Sequence, residues 1–294
     1  MRLAMTGATG RLGGLIAQAL RARGDDVTIL SRSADKGDVQ WDPAAGPAPA
    51  EALAGRDAVV HLAGEDIAQR WNDAALERIR TSREQGTRNL VAGIAAADPK
   101  PRALISASAV GYYGNRHDPV DEDAPPGDDV LAQVCVAWER EADKASELGL
   151  RVARIRTGVV LDRQGGALPK MLLPFRLGVG GPIAGGRQPL PWIHVEDVVG
   201  IYLAAIDDER YSGPINATAP HPVTNKEFSK ALGKALKRPA IAPVPAFAIR
   251  ILYGGMAMLV VDGQRALPRR ALELGYEFRH PDLDEALRSA LRET

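Results

Sequence analysis

Residues Thr6 to Gly13 read Thr-Gly-Ala-Thr-Gly-Arg-Leu-Gly and constrain the fold more than any other stretch. They follow an apolar run, Arg2 to Met5, that suits a buried strand. They open a segment, Leu12 to Arg23, whose apolar residues recur at helical spacing. Glycines at 7, 10 and 13 between a strand and a helix form the pattern of a dinucleotide-binding βαβ unit. Gly7 permits the tight turn, Gly10 lets the backbone approach a pyrophosphate, and Gly13 lets the helix pack closely on the strand. The positive end of the helix dipole then faces the phosphates.

Strand-like and helix-like segments alternate after this motif. Strands are expected at Asp26–Leu30, Asp57–Ala63, Ala103–Ser108 and Arg151–Arg156, with helices at Asp73–Ala97 and Leu131–Leu148. Such alternation, with near-continuous apolar strands, predicts an α/β fold: a doubly wound parallel sheet covered on both faces. Composition shifts after Leu161, where glycines crowd the segment ending at Trp192, and prolines at 239, 243 and 245 mark another joint. The expected division is a dinucleotide-binding domain over 1–164 and a smaller, mostly helical lobe over 165–294. The lobe interleaves with the sheet, which is completed by about residues 190–220, where Gly213–Ala217 reads as one more strand. Ligands of such folds bind outside the carboxyl ends of the strands.

Thirty-seven basic and thirty-seven acidic residues balance, so the total charge favours neither nucleic acid nor an anionic membrane. No apolar run reaches the ~18 residues of a membrane span. One cysteine, Cys135, excludes an intramolecular disulfide and fits a reducing compartment. The motif begins too early to leave room for a signal peptide. These features predict a cytoplasmic protein, monomer or homodimer, with a small-molecule substrate and neither nucleic acid nor membrane as partner. The five histidines do not pair with cysteines or carboxylates at metal-ligand spacing, so no metal site is expected.

The end of the second strand reads Ser31-Arg32, with no carboxylate before Asp35. An NAD-type site places an acidic residue there for the ribose hydroxyls, whereas a 2′-phosphate needs a counter-charge such as Arg32 with Ser31 as donor. NADP(H) is therefore the expected cofactor.

Several stretches together resemble the extended short-chain dehydrogenases/reductases. Thr6–Gly13 is similar to the superfamily's glycine motif. His61-Leu62-Ala63-Gly64 resembles its strand end beside the adenosine, and Trp192 to Val198 its late His-Val-x-Asp-Val signature. More narrowly, the chain resembles the epimerase-like family of nucleoside-diphosphate-sugar epimerase type, sometimes labelled cell-division-inhibitor homologues. The matching stretches are Leu62–Ile67, Arg70-Trp71, Thr81–Arg83, Pro125–Asp128, Arg156–Leu161, Leu173–Arg176, Leu267-Pro268 and Gly275–Phe278, with Pro281 and Leu283 in the family's C-terminal segment. The resemblance implies that Gly7, Thr9, Gly10, Arg11, Leu12 and Gly13 line the pyrophosphate. It implies that Ser31 and Arg32 hold the 2′-phosphate, and that Leu62, Ala63 and Gly64 lie beside the adenosine. Arg83 would reach a phosphate, and Thr157 and Gly158 would flank the nicotinamide.

The chain departs from the superfamily in its chemistry. The usual Tyr-x-x-x-Lys pair exchanges a proton with a substrate hydroxyl while the lysine lowers the phenol pKa. No tyrosine here has a lysine four positions later. On the expected helix the pair becomes Gln133/Ala137 or Cys135/Glu139, depending on register. Ser106 to Gly114 resembles the serine-bearing strand end, which makes Ser108 the candidate substrate-binding hydroxyl. Tyr113 either shapes the pocket, acts as a displaced acid or packs. Cys135 is a small buried residue or a nucleophile, and Lys170, Arg176 and Arg187 either receive an anionic group such as a diphosphate or are solvated. Two readings stay open: an NADP-dependent oxidoreductase or epimerase-like enzyme with a substituted proton-transfer group, or an NADP(H)-binding regulatory or interaction protein without catalysis.

Overall fold

The computed structural model describes residues 1–292. Seven strands form its central sheet: β1 (Arg2–Thr6), β2 (Asp26–Ser31), β3 (Val39–Gln40), β4 (Ala58–His61), β5 (Ala103–Ala109), β7 (Arg151–Thr157) and β12 (Gly213–Ala217). Their order is β12-β7-β5-β4-β1-β2-β3, and every neighbouring pair is parallel. Chain direction across the sheet reverses between β1 and β4, which creates the crevice where ligands of doubly wound sheets bind.

Side-chain alternation sorts the strands onto two cores. Leu3 and Met5 of β1 and Ile105 of β5 join one cluster with α1 (Arg11–Ala22) and α6 (Val195–Asp207). Ala4 and Leu104 join the other with α2 (Ala50–Leu53), α3 (Asp73–Ala96) and α4 (Val130–Glu147). The strands expected from sequence are present, with ends shifted by a few residues; the third is the most shortened, to Ala58–His61. Asn72 and Asp129 cap α3 and α4 by accepting the N–H groups of Ala75 and Ala132.

A third core draws together β8 (Val159–Asp162), α5 (Leu168–Arg176), α7 (Asn225–Leu236) and α11 (Leu283–Arg292) around Trp192, Phe175 and Phe228. Trp192 lies on β11 (Trp192–His194), which pairs in parallel with β8, itself joined to β9 (Gly165–Gly166). Between the larger elements lie β6 (Arg116–Val120), β10 (Pro189–Leu190), β13 (Val223–Thr224), α8 (Ala246–Tyr253), α9 (Met258–Val261), β14 (Gln264–Ala266) and α10 (Arg269–Glu273). The C-terminal segment is tied back to the N-terminal half through β14, which pairs with β6 in a separate two-stranded sheet. Asp197 at the start of α6 fastens it further: its carboxylate accepts the backbone N–H groups of Arg279 and His280. No helix among the described residues is long and apolar enough to cross a membrane.

Candidate functional site

The glycine turn has the geometry its spacing predicts. Gly7 takes φ of +73°, and a Cβ there would lie 2.6 Å from the Leu62 carbonyl carbon. A Cβ on Gly13 would lie 2.3 Å from the Gly7 carbonyl oxygen, so only glycine lets α1 begin this close to the turn. The Gly10 N–H closes the turn on Gly7 O at 3.0 Å. No side chain caps α1 at Gly10, and its first turn holds no acidic residue. The helix end is thus electropositive at the crevice.

Buried His61 fixes the opposite wall. Its Nδ1 lies 2.6 Å from Thr6 Oγ1 and its Nε2 2.9 Å from Thr87 Oγ1, while Thr6 Oγ1 also accepts the Ala63 N–H at 3.3 Å. Burial lowers the His61 pKa to about 4, with the Arg83 charge acting in the same direction, so the ring is neutral at pH 7. The loop leaving β4 is thereby tied to β1.

Between these walls lies a cavity of about 420 Å³. Gly7, Thr9, Gly10, Ser31, Arg32, Leu62, Ala63 and Gly64 all line it, so three sequence stretches meet in one place. Ser33, Lys36, Trp41 and Ser82 also line it and escaped the sequence reading. Ser33 and Lys36 follow Arg32 in the same loop, which was the available signal. Gly37 folds that loop back: a Cβ there would lie 2.7 Å from Ser31 Cβ.

The remaining candidates lie outside this cavity's lining. Leu12 packs on the α1-side core, and Gly13 is buried behind the turn. The Arg11 guanidinium turns to Asp162, with Nε–Oδ2 at 2.7 Å. Arg83 Nη1 donates to the Glu65 and Ile79 carbonyls, and its guanidinium stands against Gly64 and 5.0 Å from the Trp138 ring centre. Thr157 ends β7, and Gly158 packs so tightly that a Cβ would lie 2.2 Å from Pro191 O. Lys170 reaches the Ala68 carbonyl at 2.8 Å, and Trp192 is wholly buried, donating to His221 O.

Along α4, Cys135 and Glu139 point inward while Gln133 is exposed. Ala137 is buried as well. Strand parity sends Ser108, Arg156 and Asn216 to the same face, and the sheet register sets them in one row across β5, β7 and β12. Arg156 grips Glu139 with two prongs, Nε–Oε1 and Nη2–Oε2, both at 2.8 Å. Ser108 Oγ donates to Glu139 Oε1 at 2.6 Å. Burial disfavours the Arg156 cation, but the Glu139 hydrogen bonds and charge outweigh it and raise its pKa.

Tyr113 joins this network rather than an open cleft. It is fully buried, accepts from Arg156 Nη1 at 2.9 Å and donates to Asn216 Oδ1 at 2.7 Å. Burial pushes its phenol up to about 12, far from a proton-exchanging value. The displaced-acid reading of Tyr113 therefore loses its support. The Cys135 thiol is also pushed up to about 12, by burial and then by the Glu139 charge, which makes it inert as a nucleophile.

Folding brings His194, Glu196 and His280 together, with ligand atoms within 4.8 Å of one another, which their sequence spacing did not reveal. His194 Nδ1 accepts the Glu196 N–H at 3.2 Å as the cap of α6, and its ring stacks on His280 at 3.8 Å. An imidazole accepting at Nδ1 carries its proton on Nε2 and serves this cap rather than a metal.

Residues 3–217 match the NAD dependent epimerase/dehydratase family, and residues 244–290 match a domain of unknown function, DUF1731. The chain is 42% identical to a chloroplastic SDR39U1 homolog of Arabidopsis thaliana, over 99% of this chain and 87% of that protein. It is 39% identical to the epimerase family protein SDR39U1 of Homo sapiens, over 98% and 99% of the two chains. The crystal structure of human SDR39U1 (isoform 2) with NADPH superposes with a TM-score of 0.88 at 36% identity, covering 100% of both chains. A nucleoside-diphosphate sugar epimerase from Corynebacterium glutamicum superposes at 0.81 and 36% identity, over 99% of this chain and 58% of that one. Fold, glycine turn and whole-length similarity agree: the chain belongs to the NAD-dependent epimerase/dehydratase family, with a C-terminal DUF1731 segment.

Proposed function

We propose that the chain binds NADP(H) in the crevice at the carboxyl ends of β1, β2 and β4 and is an epimerase-like or oxidoreductase-like enzyme without the Tyr-Lys pair. One observation carries the reading: the cavity joins the glycine turn to the β2 end, where Ser31, Arg32 and Lys36 line it, while its lining carboxylates, Asp42 and Glu65, follow β3 and β4. A Cβ-free turn at Gly7 and Gly13 suits close approach of a pyrophosphate. Ser31, Arg32 and Lys36 suit a ribose 2′-phosphate. The NADPH in the human relative's structure supports the same cofactor. NADP(H) supplies or accepts a hydride when bound.

Ser108 is the proposed substrate-contacting hydroxyl. Its proton is committed to Glu139, so its oxygen offers lone pairs to a hydroxyl or amine of the substrate. Tyr113 and Arg156 position Glu139 and Ser108 from behind. In this reading the division near residue 164 separates the cofactor half from a lobe that shapes the substrate side.

Mixing the protein with NADPH and a panel of carbonyl compounds tests the proposal. Turnover seen as loss of nicotinamide absorbance, and abolished by Ser108→Ala, is the expected result. Tight NADPH binding with unchanging absorbance would instead favour a binding protein without catalysis.

A further inference from the structure

The balanced total charge conceals a strong local asymmetry. Residues 168–190 carry three basic side chains and no acidic one, and residues 225–253 carry six basic side chains with one acidic, Glu227. The same two stretches hold most of the large apolar side chains left in water. Leu173, Leu177, Val179, Ile241, Phe247 and Ile251 are each between 57% and 81% exposed.

These side chains sit on one joined surface. Leu173 on α5 and Leu177, the residue that caps its C-terminus, are four apart, as are Phe247 and Ile251 on α8, so each pair shares a face. The segments between are stitched together: Val244 N–H donates to Pro182 O, and Ala184 N–H donates to Val244 O, both at 2.9 Å. Gly181 lies against the Ala242 backbone, which brings Val179 and Ile241 to the same seam. Exposed Arg176 and Arg250 flank the apolar residues on their own helices.

We propose that this face of α5 and α8 docks on an anionic lipid bilayer surface. Charge complementarity selects the occupant: the exposed apolar side chains enter the acyl boundary while Arg176 and Arg250, exposed beside them, meet headgroup phosphates. A polyphosphate chain would reward the cations but gain nothing from exposed leucine, valine and isoleucine. The surface adjoins the crevice, since Lys170 of α5 holds the Ala68 carbonyl and Gly254 after α8 bridges Trp71. The proposal goes beyond the cofactor reading and stands independently of it.

Flotation of the full chain with vesicles of phosphatidylcholine alone, or with one-third phosphatidylglycerol, tests it. The expected result is binding to the phosphatidylglycerol vesicles only, weakened by salt. Arg176→Gln and Arg250→Gln should each reduce affinity about fivefold, the worth of one cation near an anionic surface. Leu177→Asp with Phe247→Asp should reduce it at least about tenfold. NADPH affinity should be unchanged in all variants, which separates this result from the cofactor claim. Failure of the wild-type chain to float with the anionic vesicles would overturn the proposal. So would variants that bind like wild type, or binding to polyglutamate in preference to vesicles, which would assign the surface to an acidic protein.

Discussion

Arg156 of β7 and Glu139 of α4 form a buried two-pronged ion pair beneath the carboxyl end of the sheet. The pair also receives the Ser108 hydroxyl and, through Arg156, holds Tyr113. The cluster is held together by a carboxylate and a guanidinium, with the Tyr113 phenol as a further member.

Removing one partner should cost far more than removing both. Glu139→Ala strands the Arg156 cation in the interior and should lower stability by about 3–5 kcal/mol. Glu139→Leu combined with Arg156→Met should recover much of that loss. Urea unfolding of the three proteins checks this; equal midpoints for wild type and Glu139→Ala would refute it.

Gly13→Ala forces a methyl into the Gly7 carbonyl and should lower both stability, by about 1–3 kcal/mol, and NADPH affinity, at least about tenfold. Gly46 offers the control, since a Cβ there meets nothing within 4 Å. Gly46→Ala should stay within about 0.5 kcal/mol of wild type. Thermal melts and titration calorimetry compare the two, and an unperturbed Gly13→Ala would sink the close-approach argument.

His61 makes stability fall on acidification. Its folded pKa of about 4 lies below the ordinary 6.5, so between those values the unfolded chain binds the extra proton. Its contribution is complete above pH 6.5 and is lost as pH falls toward 4, by about 3 kcal/mol in all. Urea unfolding from pH 7 to 4 should show this slope, and His61→Gln should make it shallower. An unchanged slope in the variant would contradict the buried neutral ring.

The sheet was legible in the sequence because its strands are short apolar runs closed by turn residues: Leu3 to Met5 ends at a glycine turn, and Val59-Val60 ends near Gly64. The meeting of the glycine turn, the β2 end and Leu62–Gly64 in one cavity was expected from the same strand ends. Lys36 and Trp41 were not, because a loop's return path depends on tertiary packing such as Gly37 against Ser31. Pairing of β6 with β14 was hidden as well, since Arg-His-Asp-Pro-Val carries no strand periodicity and its partner lies over a hundred residues away. The inward facing of Glu139 required the helix register. The asymmetry of charge was in the sequence throughout, but a total of zero masks it.

The central claim is that Arg32, with Ser31 and Lys36, makes this crevice a site for a 2′-phosphorylated dinucleotide. One charge-assisted phosphate contact is worth about 1.5–3 kcal/mol, which corresponds to a preference of roughly 10- to 100-fold. Titration calorimetry with NADPH and NADH, on wild type and Arg32→Asp, measures it directly. The account predicts that wild type prefers NADPH by that margin and that Arg32→Asp removes the preference. Equal affinities for the two cofactors in the wild-type protein would contradict it.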